Sequence, residues 1–298
     1  MPERWSSDCD TVSVRRPGKG ARWGGETVRA GLLLIYAVLS LYPLLWIVAT
    51  SLRTSSGVYR AGLSLRVDEP RWQNYTDFFR AADVPRAAFV TLVVAAAVMA
   101  LLFLTTSMTA YALARSDFPG RRLVLAALAG TIFVPAQTLL IPTFYVNRSL
   151  GLIGGWRSVA AVVLVMVAGG QAFNVYLLLG HFRTLPRDLY DAAALDGAGY
   201  FETYRRIALP LVRPGLATCA LIAFAGIWNA YLVPLVYLGQ QPGYQTLTIA
   251  LVQYSRRFQT AYHLLAAGQV IALMPVVVAF VVLQRHFVRG LIGGALRG

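Results

Sequence analysis

Charge is what this chain has least of. Of 298 residues only 13% are Asp, Glu, Lys or Arg, against roughly 25% in soluble domains, and 57% are hydrophobic. That balance excludes an ordinary soluble domain and points to lipid as the surrounding medium. Lysine is almost missing. Lys19 stands alone and is followed by Gly20, so there is no Gly-Lys-Ser/Thr loop to cradle a nucleotide's phosphates, and the chain is not itself an ATPase. Cysteine is scarce as well: Cys9 lies in a polar tail and Cys219 in an apolar run, which makes neither a disulfide framework nor a metal set. His181, His263 and His286 are scattered near the ends of apolar runs and read as interfacial rather than catalytic. Gly-x-Ser-x-Gly, His-Glu-x-x-His and paired carboxylates on an apolar helix are all absent. An enzyme reading therefore has no residues to carry it, and no cofactor is implied.

What is present is a series of long runs without Asp, Glu, Lys or Arg: 30–52, 87–114, 123–147, 158–182, 214–255 and 258–284. Each exceeds the roughly 20 residues a spanning helix needs. The fifth contains Gly239-Gln240-Gln241-Pro242-Gly243, so one helix is expected to about Leu238, followed by an external loop. The expectation is an all-α, polytopic membrane protein with six transmembrane helices. Residues 1–29 form a polar tail expected to be disordered, and 30–298 form the membrane domain. Arg15-Arg16 is followed by Pro17-Gly18-Lys19 rather than by an apolar stretch, and the first apolar run is too long for a cleaved signal, so it reads as an uncleaved anchor. With the N-terminus inside, the cytoplasmic segments hold 17 Lys and Arg against 10 outside, which favours cytoplasmic N- and C-termini. The net charge of +14 does not imply nucleic acid, because the arginines flank the spans instead of forming one stripe.

Residues 191 to 214, DAAALDGAGYFETYRRIALPLVRP, lie in a charged stretch between two apolar runs. Thr184 and Pro186 are helix start signals, and Asp188 and Asp191 complement the positive end of a helix beginning near 186. Ala192, Ala193 and Ala194 give strong propensity with little bulk, and Gly197 can take the left-handed conformation that ends the helix. A second short helix is expected from about Tyr200, with Glu202 pairing to Arg205 and Arg206 and Pro210 stopping it. The spacing of Asp191, Ala192, Ala193 and Gly197 to Ile207, Leu209 and Pro210 resembles the coupling ("EAA") loop of permease subunits in ATP-driven, binding-protein-dependent importers. The family's first residue is usually Glu; Asp191 keeps the acid one methylene shorter.

Further residues resemble the maltose-type sugar permeases of that family. They are Tyr111-Ala112-Leu113-Ala114-Arg115 with Phe118-Pro119-Gly120, Pro142 with Leu150-Gly151-Leu152, Phe182-Arg183 with Leu185-Pro186, Trp228-Asn229, and the glycine-rich ending from Arg289 to Gly298. The resemblance implies a type I importer permease fold in the cytoplasmic membrane and a coupling loop at 184–210. Its implied partners are a second permease subunit, a cytoplasmic ATPase dimer and an extracytoplasmic solute-binding protein. Polar residues inside apolar runs must find partners or line a wet cavity. Gln137, Gln171, Asn174, Trp228, Asn229 and Gln269 are therefore candidates for a path suited to a neutral mono- or oligosaccharide, each with interhelical hydrogen bonding as the competing role. The same architecture importing glycerol phosphate or a peptide, or a carrier independent of ATP, are the alternatives. Span interiors free of ionisable residues speak against an ion-coupled carrier.

Overall fold

The computed structural model describes residues 19–257 and 261–295, with side chains over 26–255, 261–282 and at 284, and every regular element among them is helical. Helix α1 (Lys19–Ser51) leads to two short helices, α2 (Ser55–Ala61) and α3 (Gln73–Ala81), and then to α4 (Val84–Arg115). The helix pair α5 (Arg121–Ile132) and α6 (Leu140–Ser149) precedes α7 (Trp156–Arg183). Next come α8 (Asp188–Leu195), α9 (Tyr200–Thr203), a π-helical turn at Tyr204–Ala208, α10 (Leu209–Leu211) and α11 (Arg213–Trp228). Helices α12 (Leu232–Leu238), α13 (Leu247–Arg257) and α14 (Tyr262–Ala295) complete the order.

The structure departs from the six uninterrupted spans expected. Four helical segments are long and apolar enough to cross a membrane: Glu26–Ser51, Val84–Arg115, Trp156–Arg183 and Tyr262–Val282. A fifth candidate is the bent pair Tyr200–Leu211 and Arg213–Trp228, which turn by 75° against each other. The run 123–147 is two helices of 12 and 10 residues, not one. Pro135 falls in the interruption, where its missing N–H and the bias it places on Val134 stop helix propagation. The run expected to be helical to Leu238 likewise breaks between Trp228 and Leu232. Pro234 excludes the carbonyl of residue 230 as a helical acceptor, so a new helix must start beyond it. The expected stop at Pro210 falls instead at Val212, because Pro210 and then Pro214 occupy first-turn positions, where no N–H is needed. Helix α1 begins at Lys19, inside the tail expected to be disordered, since extending an existing helix avoids the cost of nucleation. The rest of that tail lies outside the described residues.

Two helices form the spine. Val90, Val94 and Val98 of α4 meet Val159, Ala161 and Val162 of α7, with Ile227, Tyr237 and Ile249 closing one side. Small and β-branched residues let the backbones approach, which is where helix association in lipid finds its energy. Helix α11 packs on α14, and α3 docks on α14 as well. Phe78 of α3 is fully buried there, seated where a Cβ on Gly268 would come within 2.3 Å of its Cζ. Helix α1 touches the rest mainly through α14 and leaves most of its apolar residues from Val28 to Val48 exposed.

Several buried polar groups are tied to backbone or to one another. Asn74 donates to the carbonyls of Ser51 and Arg53, both at 2.8 Å, fixing the chain that leaves α1. Thr91 and Thr106 donate one turn back, to Ala87 and Leu102 at 2.7 and 2.6 Å. Asn147 reaches Tyr237 Oη at 2.9 Å. Such bonds hide hydroxyls and amides that hydrocarbon would penalise.

Candidate coupling loop and solute path

The loop after α7 is built by local chemistry. Thr184 bonds back to the His181 carbonyl at 2.8 Å and ends the span. Asp188 and Asp191 occupy the first turn of α8, as expected of acids at a helix start. At the other end Gly197 adopts φ +79°. Its N–H bonds Ala194 O at 3.1 Å, and that of Ala198 bonds Ala193 O at 2.9 Å, the paired pattern of a glycine-closed helix end. Ala193 and Tyr190 face the helical body, whereas Asp191, Ala192 and Ala194 face outward. Leu195 is 89% exposed, and Leu189, Tyr200 and Phe201 flank it on the same loop. Beyond the turn, Glu202 pairs with Arg206 at 2.6 Å on the surface, worth a few tenths of a kcal/mol. Ile207, Leu209 and Pro210 are half-buried in the segment that carries the loop back to α11.

A tyrosine hub clamps this loop to α4. The Tyr111 ring lies 4.9 Å from Tyr200, 5.2 Å from Tyr204, 5.6 Å from Phe182 and 6.3 Å from Tyr190. Ser107 Oγ and Tyr204 Oη share a hydrogen bond of 2.8 Å, and Ser116 Oγ and Tyr200 Oη one of 3.1 Å. The Arg115 guanidinium stacks 3.4 Å over the Tyr190 ring. Burial pushes the Tyr190 phenol above its ordinary value, with Arg115 pulling the other way. The sequence reading found Tyr111 and Arg115 only as family landmarks. Tyrosines at 190, 200 and 204 were the available signal, but their convergence on residue 111 is a long-range fact.

The six path candidates do not share one environment. Trp228 is 4% exposed and stacks beside Phe224, and its indole donates to Ala272 O of α14 at 2.8 Å. That is the interhelical role. Gln171 donates to Thr105 Oγ1 at 2.5 Å, joining α7 to α4. One turn along α7, Asn174 is 6% exposed and donates to Gly170 O at 2.8 Å, leaving its Oδ1 buried without a partner. Asn229 is exposed at the end of α11, with its amide on Ala225 O at 2.9 Å. Gln137 is exposed in the break between α5 and α6, and Gln269 is exposed on α14.

Comparison with known proteins gives this arrangement a family. Residues 108–293 match the family described as "Binding-protein-dependent transport system inner membrane component". The chain is 30% identical over 268 residues to the diacetylchitobiose uptake system permease protein NgcG of Streptomyces coelicolor, covering 89% of this chain and 87% of that one. It is 32% identical over 270 residues to the trehalose transport system permease protein SugB of Mycobacterium tuberculosis, covering 90% and 95%. Among solved structures, a bacterial ABC transporter involved in the import of alginate superposes with a TM-score of 0.77 at 23% identity, over 91% of this chain and 98% of that chain. An all-helical membrane fold, a charged loop closed by Gly197 and matches along most of its length place this chain among the inner membrane components of binding-protein-dependent transport systems, as a non-catalytic sugar-type permease.

Proposed function

We propose that this chain is one of two permease subunits of an importer for a neutral mono- or oligosaccharide, and that its loop at 184–210 receives the motion of a cytoplasmic ATPase dimer. The observation that carries this reading is the loop itself. A helix with its small-residue face outward, closed by Gly197, holds Leu195 in water and is anchored through Tyr190 and Tyr204 to the helix pair α4 and α7. Leu195 is exposed together with Leu189, Tyr200 and Phe201 on the same loop, and apolar side chains exposed as a group, unlike a single leucine, mark an interaction surface. A docked element of that kind can bias two arrangements of the spans.

In this reading α5 and α6 together complete a sixth, broken crossing, so both termini lie in the cytoplasm, in agreement with the arginine distribution. The interrupted backbone at 133–139 and 229–231 needs protein or a wet cavity around it, so Gln137 and Asn229 sit where a path is to be sought. Gln171, Asn174 and Gln269 add amides without fixed charge, which suit sugar hydroxyls. Trp228 supports this path from behind through its bond to Ala272. Relatives named for diacetylchitobiose and trehalose uptake favour a sugar as the cargo.

The test is a reconstituted complex with both permeases, the ATPase and the external binding protein in proteoliposomes. ATP hydrolysis should rise only with sugar-loaded binding protein, and labelled sugar should accumulate inside. Full hydrolysis with free sugar alone, or a charged amino acid as the preferred cargo, would refute the reading.

A further inference from the structure

Beside the hub lies a recess of about 310 Å³, open to solvent and lined by Tyr111, Arg115, Tyr190, Asp191, Ala194 and Tyr200 among others. Its walls come from the end of α4 on one side and from the coupling loop on the other. Arg115 stacks by its face on Tyr190 at 3.4 Å. Stacking by the face leaves the N–H edge of a guanidinium free, and that edge is a fork matched to a carboxylate. No hydrogen bond or ion pair occupies it among the described residues, although Asp191 lines the same recess. The Tyr190 ring beneath the guanidinium is itself fixed, on a residue 6% exposed. The recess thus offers one donor edge in a fixed position, and its rim carries Asp191 and Ala194 of the outward face of α8.

We infer that this recess is an acceptor site for an acidic side chain of the ATPase subunit, an Asp or Glu inserted beside α8 to engage the Arg115 edge. The inference rests on the docking reading above and adds the polarity of one contact. A phosphate headgroup would be the usual partner of an arginine at the end of a span, but here most of the cavity wall is coupling loop, and the guanidinium is pinned among tyrosines instead of extended along lipid. Arg115 would then serve twice, bracing α8 against α4 through Tyr190 and receiving the partner's acid, so that a pull on that acid is delivered to the span.

The experiment uses the permease pair in nanodiscs, titrated with its ATPase subunits at low and high salt. Arg115→Gln should weaken ATPase retention about tenfold and flatten its salt dependence, as loss of a charge-assisted contact does. Arg115→Lys should restore only part, since a point charge lacks the flat stack and the fork, and Tyr190→Phe, which keeps the ring beneath the guanidinium, should leave retention unchanged. A photo-crosslinking residue at Ala194 reports separately whether the loop meets the ATPase. A crosslink together with unchanged retention in Arg115→Gln overturns the acceptor site and leaves docking intact, whereas no crosslink overturns docking and the site with it. Against a merely loosened loop, surface acids of the ATPase are changed to Arg one at a time beside Arg115→Glu. Recovery at one position supports the pairing, and recovery at none overturns it. Intact ATPase retention with a lost dependence on anionic lipid assigns Arg115 to the membrane surface and also overturns the site.

Discussion

Substituting Gly197 separates two reasons why a glycine can be needed in a coupling loop. Its φ is +79°, a region that costs a residue with a β-carbon about 1–2 kcal/mol. Yet a Cβ built at Gly197 meets nothing within 4 Å of this chain. Within the chain the demand is conformational and not spatial. Asn tolerates the left-handed region far better than Ala, and β-branched Val worse. Since 1.4 kcal/mol is a factor of ten in an equilibrium constant, uptake should fall in the order Gly197→Asn, Gly197→Ala, Gly197→Val. Asn should stay within about twofold of wild type, Ala should lose about fivefold and Val more than about tenfold, as the turn gives up its two closing bonds. The assay is ATP-driven sugar uptake in proteoliposomes, with assembled permease and bound ATPase quantified in the same preparations. Were Asn to transport worse than Ala, size at the partner's surface would govern the position and the conformational argument would be refuted. Equal uptake in all three would remove the turn from the mechanism.

Four further outcomes follow. In a chain with Cys9 and Cys219 replaced, cysteines at Glu69 and Gln240, both exposed, should react with an impermeant thiol reagent in intact cells, whereas cysteines at Phe118 and Phe201 should not; labelling at 201 from outside would invert the topology. Trp228→Phe keeps the ring but loses the bond to Ala272 O, so it should lower thermal stability by about 1 kcal/mol with the order of preferred sugars unchanged; altered selectivity would return Trp228 to the path. Asn229→Ala removes an exposed amide at the break after α11 and should reduce uptake with assembly intact, an idea sunk by wild-type rates. Tyr204→Phe deletes the hydroxyl shared with Ser107 and should uncouple, raising basal ATP hydrolysis relative to uptake; a preserved ratio would show that the hub does not transmit motion.

The local structure of the loop between α7 and α11 was legible because its signals are local. Acids at a helix start, alanines in its body and a glycine at its end act within a few residues of one another, and the observed α8 and the Gly197 turn follow from them. The ion pair of Glu202 was likewise a neighbour effect, realised with Arg206. The break at 133–139 was harder to see. Pro135 marked a weakness, but a proline in an apolar run can kink a helix or end it, and the choice depends on whether surrounding helices take up the released backbone groups. Trp228 stayed open between two roles for a related reason. An indole inside a span reads equally as a stacking platform or as a tie, and only the position of the Ala272 carbonyl distinguishes the two.

By itself the sequence determined the medium and the helical class, because a charge in lipid is costly wherever it stands, so runs without charge report spans independently of how they pack. It also determined the loop's turn, where glycine alone removes the penalty of a left-handed backbone. Only the tertiary structure decided how many uninterrupted helices those runs become, which polar side chains tie helices together, and that Tyr111 gathers Tyr190, Tyr200 and Tyr204 around it. Those outcomes rest on contacts between residues far apart in the chain, and their energies come from close fit and satisfied hydrogen bonds, which exist only once the helices have met.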